Sequence, residues 1–425
     1  MHKIYAFIIQ HKELIKKFLP VHFLKKLHSS LIRAKIRRFH AGPIQTEAYR
    51  SMPFGVNLIG DIQIEIGLGQ SMRLIANALE LAKQDFCVID LPLNIPVRRD
   101  DRTWEHKIST APIYGINLLH ITPQDLGMSY LSLGKHTLQN RYNIGFWLWE
   151  LETLPVESQQ ALRLVDEIWT PSEFTSNCFR KITGKPVYTI PYHVVADTDP
   201  AYDRTYFGLP KEQFLYLVMF DFNSTMRRKN PTGAIEAFKQ AFGPQEQDVG
   251  LVIKINNATE ECIETLDAML SDYHNVYYIT KTLNKTETNS LIHCTDVFVS
   301  LHRAEGCGLI MAEAMLLKTA CIATNWSSNT DFMNDDIACM VSYTKKQIAT
   351  GEGSYPPGAT WADPHVEEAA TYMRKLKESP DFYQKIVENA YTHTIQTLGA
   401  ERIAKMLNQR LAQINRSILE QASNP

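Results

Sequence analysis

The sequence lacks any run approaching the ~18 consecutive apolar residues that a membrane-spanning helix needs. Its Ile4 to Ile9 run is too short for the core of a secretory signal. Neither insertion nor export is expected. A cysteine framework is also missing: the seven cysteines, at 87, 178, 262, 294, 307, 321 and 339, include no C-x-x-C pair and cannot all pair with one another. Reduced thiols in a cytoplasmic protein follow. No sign of charge dominates, since 44 Lys and Arg face 46 Asp and Glu, which removes the electrostatic case for a nucleic-acid partner. There is no internal repeat, no low-complexity segment and no His/Cys spacing of the structural-zinc kind.

What is present is enough apolar material for two cores: 425 residues, 44% hydrophobic and 10% aromatic, exceed the usual single domain and exclude disorder. Charge is unevenly placed. Residues 1–41 hold ten Lys or Arg against one acid, Glu13, while the remainder of the chain is acidic. Ile4, Phe7, Ile8, Ile15, Phe18 and Leu19, then Phe23, Leu24, Leu27 and Leu31 beyond Pro20, recur at helical spacing. Two short basic amphipathic helices are expected, either docked on the body or lying on an anionic membrane surface.

From residue 55 short β-branched runs alternate with amphipathic ones, the pattern of a parallel sheet covered by helices. Strands are expected at 56–59, 86–91, 116–121, 144–148, 167–170 and 187–190. Residues 195–212 are a polar connector rich in turn formers, after which strands are expected at 215–220, 249–255, 276–280, 296–301, 320–324 and 337–341. Helices are expected at 231–242, 258–271, 286–293 and 309–317, and three more fill 366–422. The fold class expected is α/β, with two Rossmann-like domains over 42–200 and 201–380 facing a cleft, and residues 381–425 packing back across both. Ligands in such sheets bind beyond the carboxyl ends of the strands.

The stretch 297–317, VFVSLHRAEGCGLIMAEAMLL, carries the most chemistry. A strand runs into a loop with Gly306 and Gly308, and a helix opens at Leu309, so free amides and close backbone approach make an anion site. Glu313 lies inside an apolar helix, where a carboxylate needs an internal ion pair or a ligand. Upstream, Arg228 and Lys229 precede Asn230 and Pro231 at another helix entry; they are either a solvated basic turn or a phosphate site.

Glu305 and Glu313 form an E-x7-E within S-x-H-R-x-E-G-x-G-L-x-x-x-E-A-M, which resembles the retaining GT-B glycosyltransferases of family 4. The Arg-Lys-Asn-Pro segment followed by TGAIEAFKQAF, the glycine loop NLIGDIQIEIGLGQSMR, the segments YNIGFWLWELETLP and DEIWTPSEFTSNCF, and TNWSSNTDFM and WADP agree in order. Together they cover about residues 55–370. The sequence differs from the family at Cys307, where an aromatic is usual, at Asn223, where an Arg is common, and at Asp331, where a Glu is usual.

The resemblance implies a retaining transfer from a UDP- or GDP-linked sugar, used as co-substrate with no further cofactor and no metal, to a glycan or lipid-linked acceptor in bacterial surface polysaccharide or lipopolysaccharide synthesis. The expected place is the cytoplasm, with peripheral attachment at the inner face of the membrane. The chemistry needs cations for a departing diphosphate and a site tolerant of an oxocarbenium-like sugar. Lys229 and Glu305 take the catalytic roles, with His120 reaching a donor hydroxyl or serving as a satisfied core histidine. Arg228, Glu313, Gly306, Gly308, Leu309, Lys254, Gly67 and Gly69 are the donor-binding candidates, Glu313 on the ribose diol. Lys254 is equally readable as a strand-end lysine. Glu150 and Trp149 face the acceptor, with a plain core strand as the alternative for Trp149 and Trp147.

Four rival readings stand beside this one. Gly67 and Gly69 begin an incomplete G-x-G-x-x-G and Asp90 ends the next strand, as in a nicotinamide enzyme, but Met72 stands in place of the third glycine and the loop comes six residues late. Asp197 and Asp199 make a D-x-D, set in the connector before Pro200. A nucleotide-sugar epimerase or a catalytically silent binding protein would use the same fold.

Overall fold

Two six-stranded parallel sheets organise the computed structural model, which describes residues 43–93, 97–222 and 226–420 together with Ser30 and Ile36. The basic amphipathic pattern expected of residues 1–41 thus lies, those two residues apart, outside the described residues, as does Asn223. The first sheet runs in the order β2-β1-β3-β4-β5-β6, from β1 (Val56–Gly60), β2 (Phe86–Asp90), β3 (Ile116–Leu119), β4 (Tyr142–Phe146), β5 (Glu167–Thr170) and β6 (Val187–Thr189). The second runs β12-β11-β10-β7-β8-β9, from β7 (Phe214–Asp221), β8 (Val249–Asn256), β9 (Val276–Ile279), β10 (Val297–Ser300), β11 (Ala320–Thr324) and β12 (Cys339–Val341). All twelve expected strands form, and the fold class is the α/β one expected.

The strands read as continuous apolar runs because helices cover both faces of each sheet. Where polar residues enter, they pair across the register. Asn57, Asn117 and Asn143 stand side by side on β1, β3 and β4, with Asn57 Nδ2 donating to Asn117 Oδ1 at 2.9 Å and Asn117 Nδ2 to Asn143 Oδ1 at 2.8 Å. Such a satisfied buried ladder penalises any slip of one residue, which would leave amides unpaired.

Strand order reverses between β1 and β3 in the first domain and between β7 and β10 in the second. Neighbouring loops leave in opposite directions there, opening a crevice at the strand ends. Two features depart from the expected pattern. β4 stops at Phe146, so Trp147 to Leu151 form an ordered loop rather than the end of a strand. An antiparallel pair, β13 (Tyr343–Gln347) and β14 (Thr360–Pro364), carries an excursion of the chain across to the first domain. There Ile348, Tyr355 and Trp361 share a core with Trp147, Trp149 and Leu154.

Three helices follow β14, Val366–Glu378, Pro380–Leu398 and Ala400–Glu420. The last buries Ile403, Leu407, Leu411, Ile414 and Ile418 at helical spacing. It packs on the Gly67–Leu81 helix of the first domain, where Arg410 grips the fully buried Glu167 and Asn408 Nδ2 donates to the Ala82 carbonyl at 2.9 Å. No helix among the described residues is long and apolar enough to cross a membrane.

Candidate active site

The two loops at the β7/β10 switch point are sewn together by backbone. The Arg303 amide donates to the Arg228 carbonyl at 2.7 Å, and Asn230 Nδ2 donates to the Leu301 carbonyl at 2.8 Å. Asn230 takes the left-handed conformation, φ 52°, that turns the chain into the Pro231–Ala241 helix. This turn delivers the side chains of Arg228 and Lys229 onto the loop that follows β10.

Glu305 is their meeting point. Its Oε1 accepts from Lys229 Nζ, and from Arg228 Nη1 at 3.3 Å, while Arg228 Nη1 also donates to the Ala304 carbonyl at 2.8 Å. The Glu305 amide donates to Ser327 Oγ at 2.9 Å, and Ser327 itself has φ 75°, an uncommon conformation for a non-glycine residue. Burial drives the Glu305 carboxyl towards protonation, but Lys229 and Arg228 outweigh it and hold the pKa at about 2. Burial works against the Arg228 charge too, yet Glu305, Tyr355 and Glu150 raise its pKa above the ordinary arginine value. Glu305 and Arg228 are therefore both charged at neutral pH.

Beyond it, Gly308 sits at φ 81° and caps the Leu309–Leu316 helix with no side-chain cap. The first amides of that helix, at Leu309 and Ile310, are the donors such a start leaves for an anion. Glu313 lies one turn on, 1% exposed. Lys285 Nζ contacts its Oε1 at 2.5 Å, whereas Oε2 is buried without a partner. A buried carboxylate oxygen left without a hydrogen bond costs about 1–3 kcal/mol, so this atom is suited to a ligand hydroxyl.

Other expected residues fall elsewhere. Lys254 is 1% exposed on β8, one strand beyond the switch point, and is held by Asn256 Oδ1 at 2.5 Å and the Ile255 carbonyl at 3.3 Å. Burial, opposed by Asp221, lowers its pKa to about 8. Neither of these hydrogen bonds joins Lys254 to the Arg228–Lys229–Glu305 cluster. His120 follows β3 at the other switch point, 2% exposed, with Nε2 2.5 Å from Ser71 Oγ, which is in turn 2.7 Å from Tyr192 Oη. Burial lowers its pKa to about 4, so the ring is neutral, and it stacks on Phe146 with centroids 5.6 Å apart. In this arrangement its Nε2 is engaged within its own domain.

Gly67 opens the Gly67–Leu81 helix with free space on its side-chain face, while a Cβ on Gly69 would lie 2.0 Å from the Ile64 carbonyl oxygen. Glu150 does reach the second domain: a Cβ on Gly306 would lie 3.5 Å from Glu150 Cγ. Trp149 departs from expectation. Only 2% exposed, it spends its Nε1 on the Thr153 carbonyl at 2.8 Å and packs on Tyr355, so no ring face is open to a sugar. Asp90 pairs with Arg99 at 2.9 Å and is not placed as a ribose ligand. Asp199 accepts from the Ala201 amide at 2.9 Å.

Sequence reasoning missed three contributors. His302 bridges the Trp326 carbonyl at 3.2 Å and Asn329 Oδ1 at 3.0 Å, bracing the Glu305 loop, and its place two residues beyond β10 was the available signal. Tyr355 and Glu352, on the excursion between β13 and β14, reach the cleft from a segment that carries no motif. Across the domains, Ser172 Oγ donates to Ser328 Oγ at 2.9 Å and Asp331 accepts from the Glu173 amide, so Asp331 ties the second domain to a helix start of the first.

Residues 208–393 match the family described as glycosyl transferases group 1. No curated protein matches the sequence. Among solved structures, HepE of Anabaena in complex with UDP and glucose superposes with a TM-score of 0.64 at 12% identity, covering 85% of this chain and all of that one. Sucrose-phosphate synthase of Thermosynechococcus elongatus gives a TM-score of 0.60 at 14% identity over 86% of this chain and 100% of that chain. WaaG, a glycosyltransferase involved in lipopolysaccharide biosynthesis, gives 0.52 at 13% identity over 83% and 99%. The shared architecture is the GT-B fold.

Proposed function

We propose that this glycosyltransferase, with its group 1 domain over residues 208–393, is a retaining enzyme that moves a sugar from a nucleoside-diphosphate donor to a glycan or lipid-linked acceptor. Bacterial surface polysaccharide or lipopolysaccharide synthesis is the process proposed. One observation carries the reading: two cations, a short helix start and a buried carboxylate with an unpartnered oxygen converge on one switch point. Lys229 and Arg228 neutralise charge that grows on the diphosphate as it leaves, and the Leu309 and Ile310 amides add fixed dipoles. Glu313 Oε2 takes the ribose diol, and Glu305 faces the sugar. His120 and the helix start at Gly67 and Gly69 close the donor side from the first domain, while Glu150 lies towards the acceptor.

The solved complexes of HepE with UDP-glucose, and of TarM of S. aureus with UDP and a glycosylated glycerol, support a UDP-linked donor. The involvement of WaaG in lipopolysaccharide biosynthesis supports a surface-glycan acceptor. Metal-independent chemistry in the cytoplasm, with residues 1–41 on an anionic membrane, completes the proposal. Incubation with UDP- and GDP-sugars and candidate acceptors tests it by product analysis. Free nucleoside diphosphate with a sugar of unchanged anomeric configuration is expected. An inverted product refutes retention; epimerised donor or no turnover refutes transfer.

A further inference from the structure

The cations around the switch point are already matched. Arg227 pairs with Glu352, Arg303 with Asp363 at 2.9 Å, Lys345 with Glu152 at 3.0 Å, and Arg228 and Lys229 both with Glu305. Glu305 alone cannot balance two positive charges. The second carboxylate comes from the opposite domain: Glu150, with Cγ against Gly306 and Oε1 3.7 Å from where a Cβ on that glycine would lie, adds its field to that of Arg228. Tyr355, buried and packed on Trp149 with centroids 5.6 Å apart and rings tilted at 56°, has its phenol pKa raised by burial and by the charge of the same carboxylate, and is fixed in turn by backbone bonds with Glu352 at 2.9 and 3.0 Å.

We propose that the Glu150 carboxylate is the built-in counter-anion of the donor site, held by Tyr355 beside Arg228 until the donor's diphosphate takes its place. The inference rests on the nucleoside-diphosphate reading above and deepens it. A diphosphate brings two or more negative charges into a cluster whose own charges already cancel, so one resident carboxylate must give way for the anion to gain from the cations. Glu305 is fixed by Lys229 and by the bond from its amide to Ser327 Oγ. Glu150, half-buried on the loop after β4, is the one that can turn towards the acceptor side. Donor affinity is then set partly by a residue of the acceptor domain, and the two domains exchange an ion pair when the donor arrives.

Calorimetric titration of the full chain with UDP and with GDP, alongside melting temperatures, tests this. Glu150→Gln removes the competing charge and keeps the shape, so the preferred nucleotide should bind roughly tenfold tighter. Tyr355→Phe, which frees the carboxylate without deleting it, should shift affinity in the same direction by a smaller factor. Glu152→Gln, on the same loop but paired with Lys345, should leave binding unchanged. Equal or weaker binding by folded Glu150→Gln and Tyr355→Phe overturns the inference, including the case in which Glu150→Gln raises only the acceptor KM. If no form binds either nucleotide, the donor reading itself fails.

Discussion

Lys229 Nζ donates to Oε1 of Glu305, so the base and the acid that the sequence assigns to chemistry are bonded to one another across 76 residues of chain. The pair fixes each side chain in the cleft and couples the effects of changing either. If Lys229 faces the leaving diphosphate, Lys229→Ala should cut kcat on the order of 10²-fold. Glu305→Gln should also lower kcat in a folded protein. Glu313→Ala should act mainly on donor KM, because a ribose contact is present before and during the reaction. Steady-state kinetics with melting temperatures decide this. Unchanged kcat in folded Lys229→Ala would refute the phosphate role.

Two buried groups should leave separate marks on acid stability. His120 has its folded pKa lowered to about 4 by burial, against ~6.5 for a free histidine. Between those values the unfolded chain binds a proton that the native protein does not, so its contribution to stability falls as pH drops from ~6.5 to about 4. Glu305, held at about 2, contributes stability that is present above ~4.3 and is lost as pH falls through about 2. Melting temperature against pH should therefore lose part of its upper-window slope in His120→Asn and part of its lower-window slope in Glu305→Gln. Parallel curves for wild type and variants would contradict both assignments.

Glycine substitutions should divide cleanly. Gly69→Ala would place a methyl group 2.0 Å from the Ile64 carbonyl oxygen, and Gly308→Ala would hold alanine at φ 81° at a cost of about 1–2 kcal/mol. Both should melt several degrees lower. Gly67→Ala meets open space and should melt near the wild-type temperature. A reduced donor affinity in Gly67→Ala alone is the signature expected of close backbone approach to the ligand. Wild-type kinetics in that variant would remove Gly67 from the donor site.

Transfer should survive EDTA, because the electrostatic work is assigned to Lys229, Arg228 and helix-start amides. Complete loss on chelation, restored by Mn2+ or Mg2+, would promote Asp197 and Asp199 to ligands.

Residues 1–41 should add membrane affinity without altering donor kinetics, since their excess positive charge is local. Co-sedimentation with anionic liposomes should drop on their removal and on raising salt. Equal binding by full-length and truncated protein would end the membrane proposal.

Most of the architecture was legible because parallel strands covered on both faces write themselves as apolar runs, and the residues after β7 and β10 fall where such sheets bind ligands. The excursion was not. β13 reads TKKQ after its tyrosine and is exposed along most of its length, so nothing in its composition distinguishes it from a loop. The segment 147–151 misled for the opposite reason: its tryptophans suit a strand or a sugar platform equally, and only tertiary packing sends Trp149 inward. Likewise the isolated sequence shows His120 but neither Ser71 nor Tyr192, whose hydroxyls come from 49 residues earlier and 72 later to engage it.

The Ala400–Glu420 helix lies on the domain that is synthesised first. Until it leaves the ribosome, Glu167 lacks Arg410, and the Gly67–Leu81 helix shows an apolar face with nothing to cover it. The first domain therefore waits for the second: a truncated chain ending after the group 1 region exposes a sticky surface. Formation of the Ala400–Glu420 helix, rather than completion of either sheet, is the step that covers this apolar face.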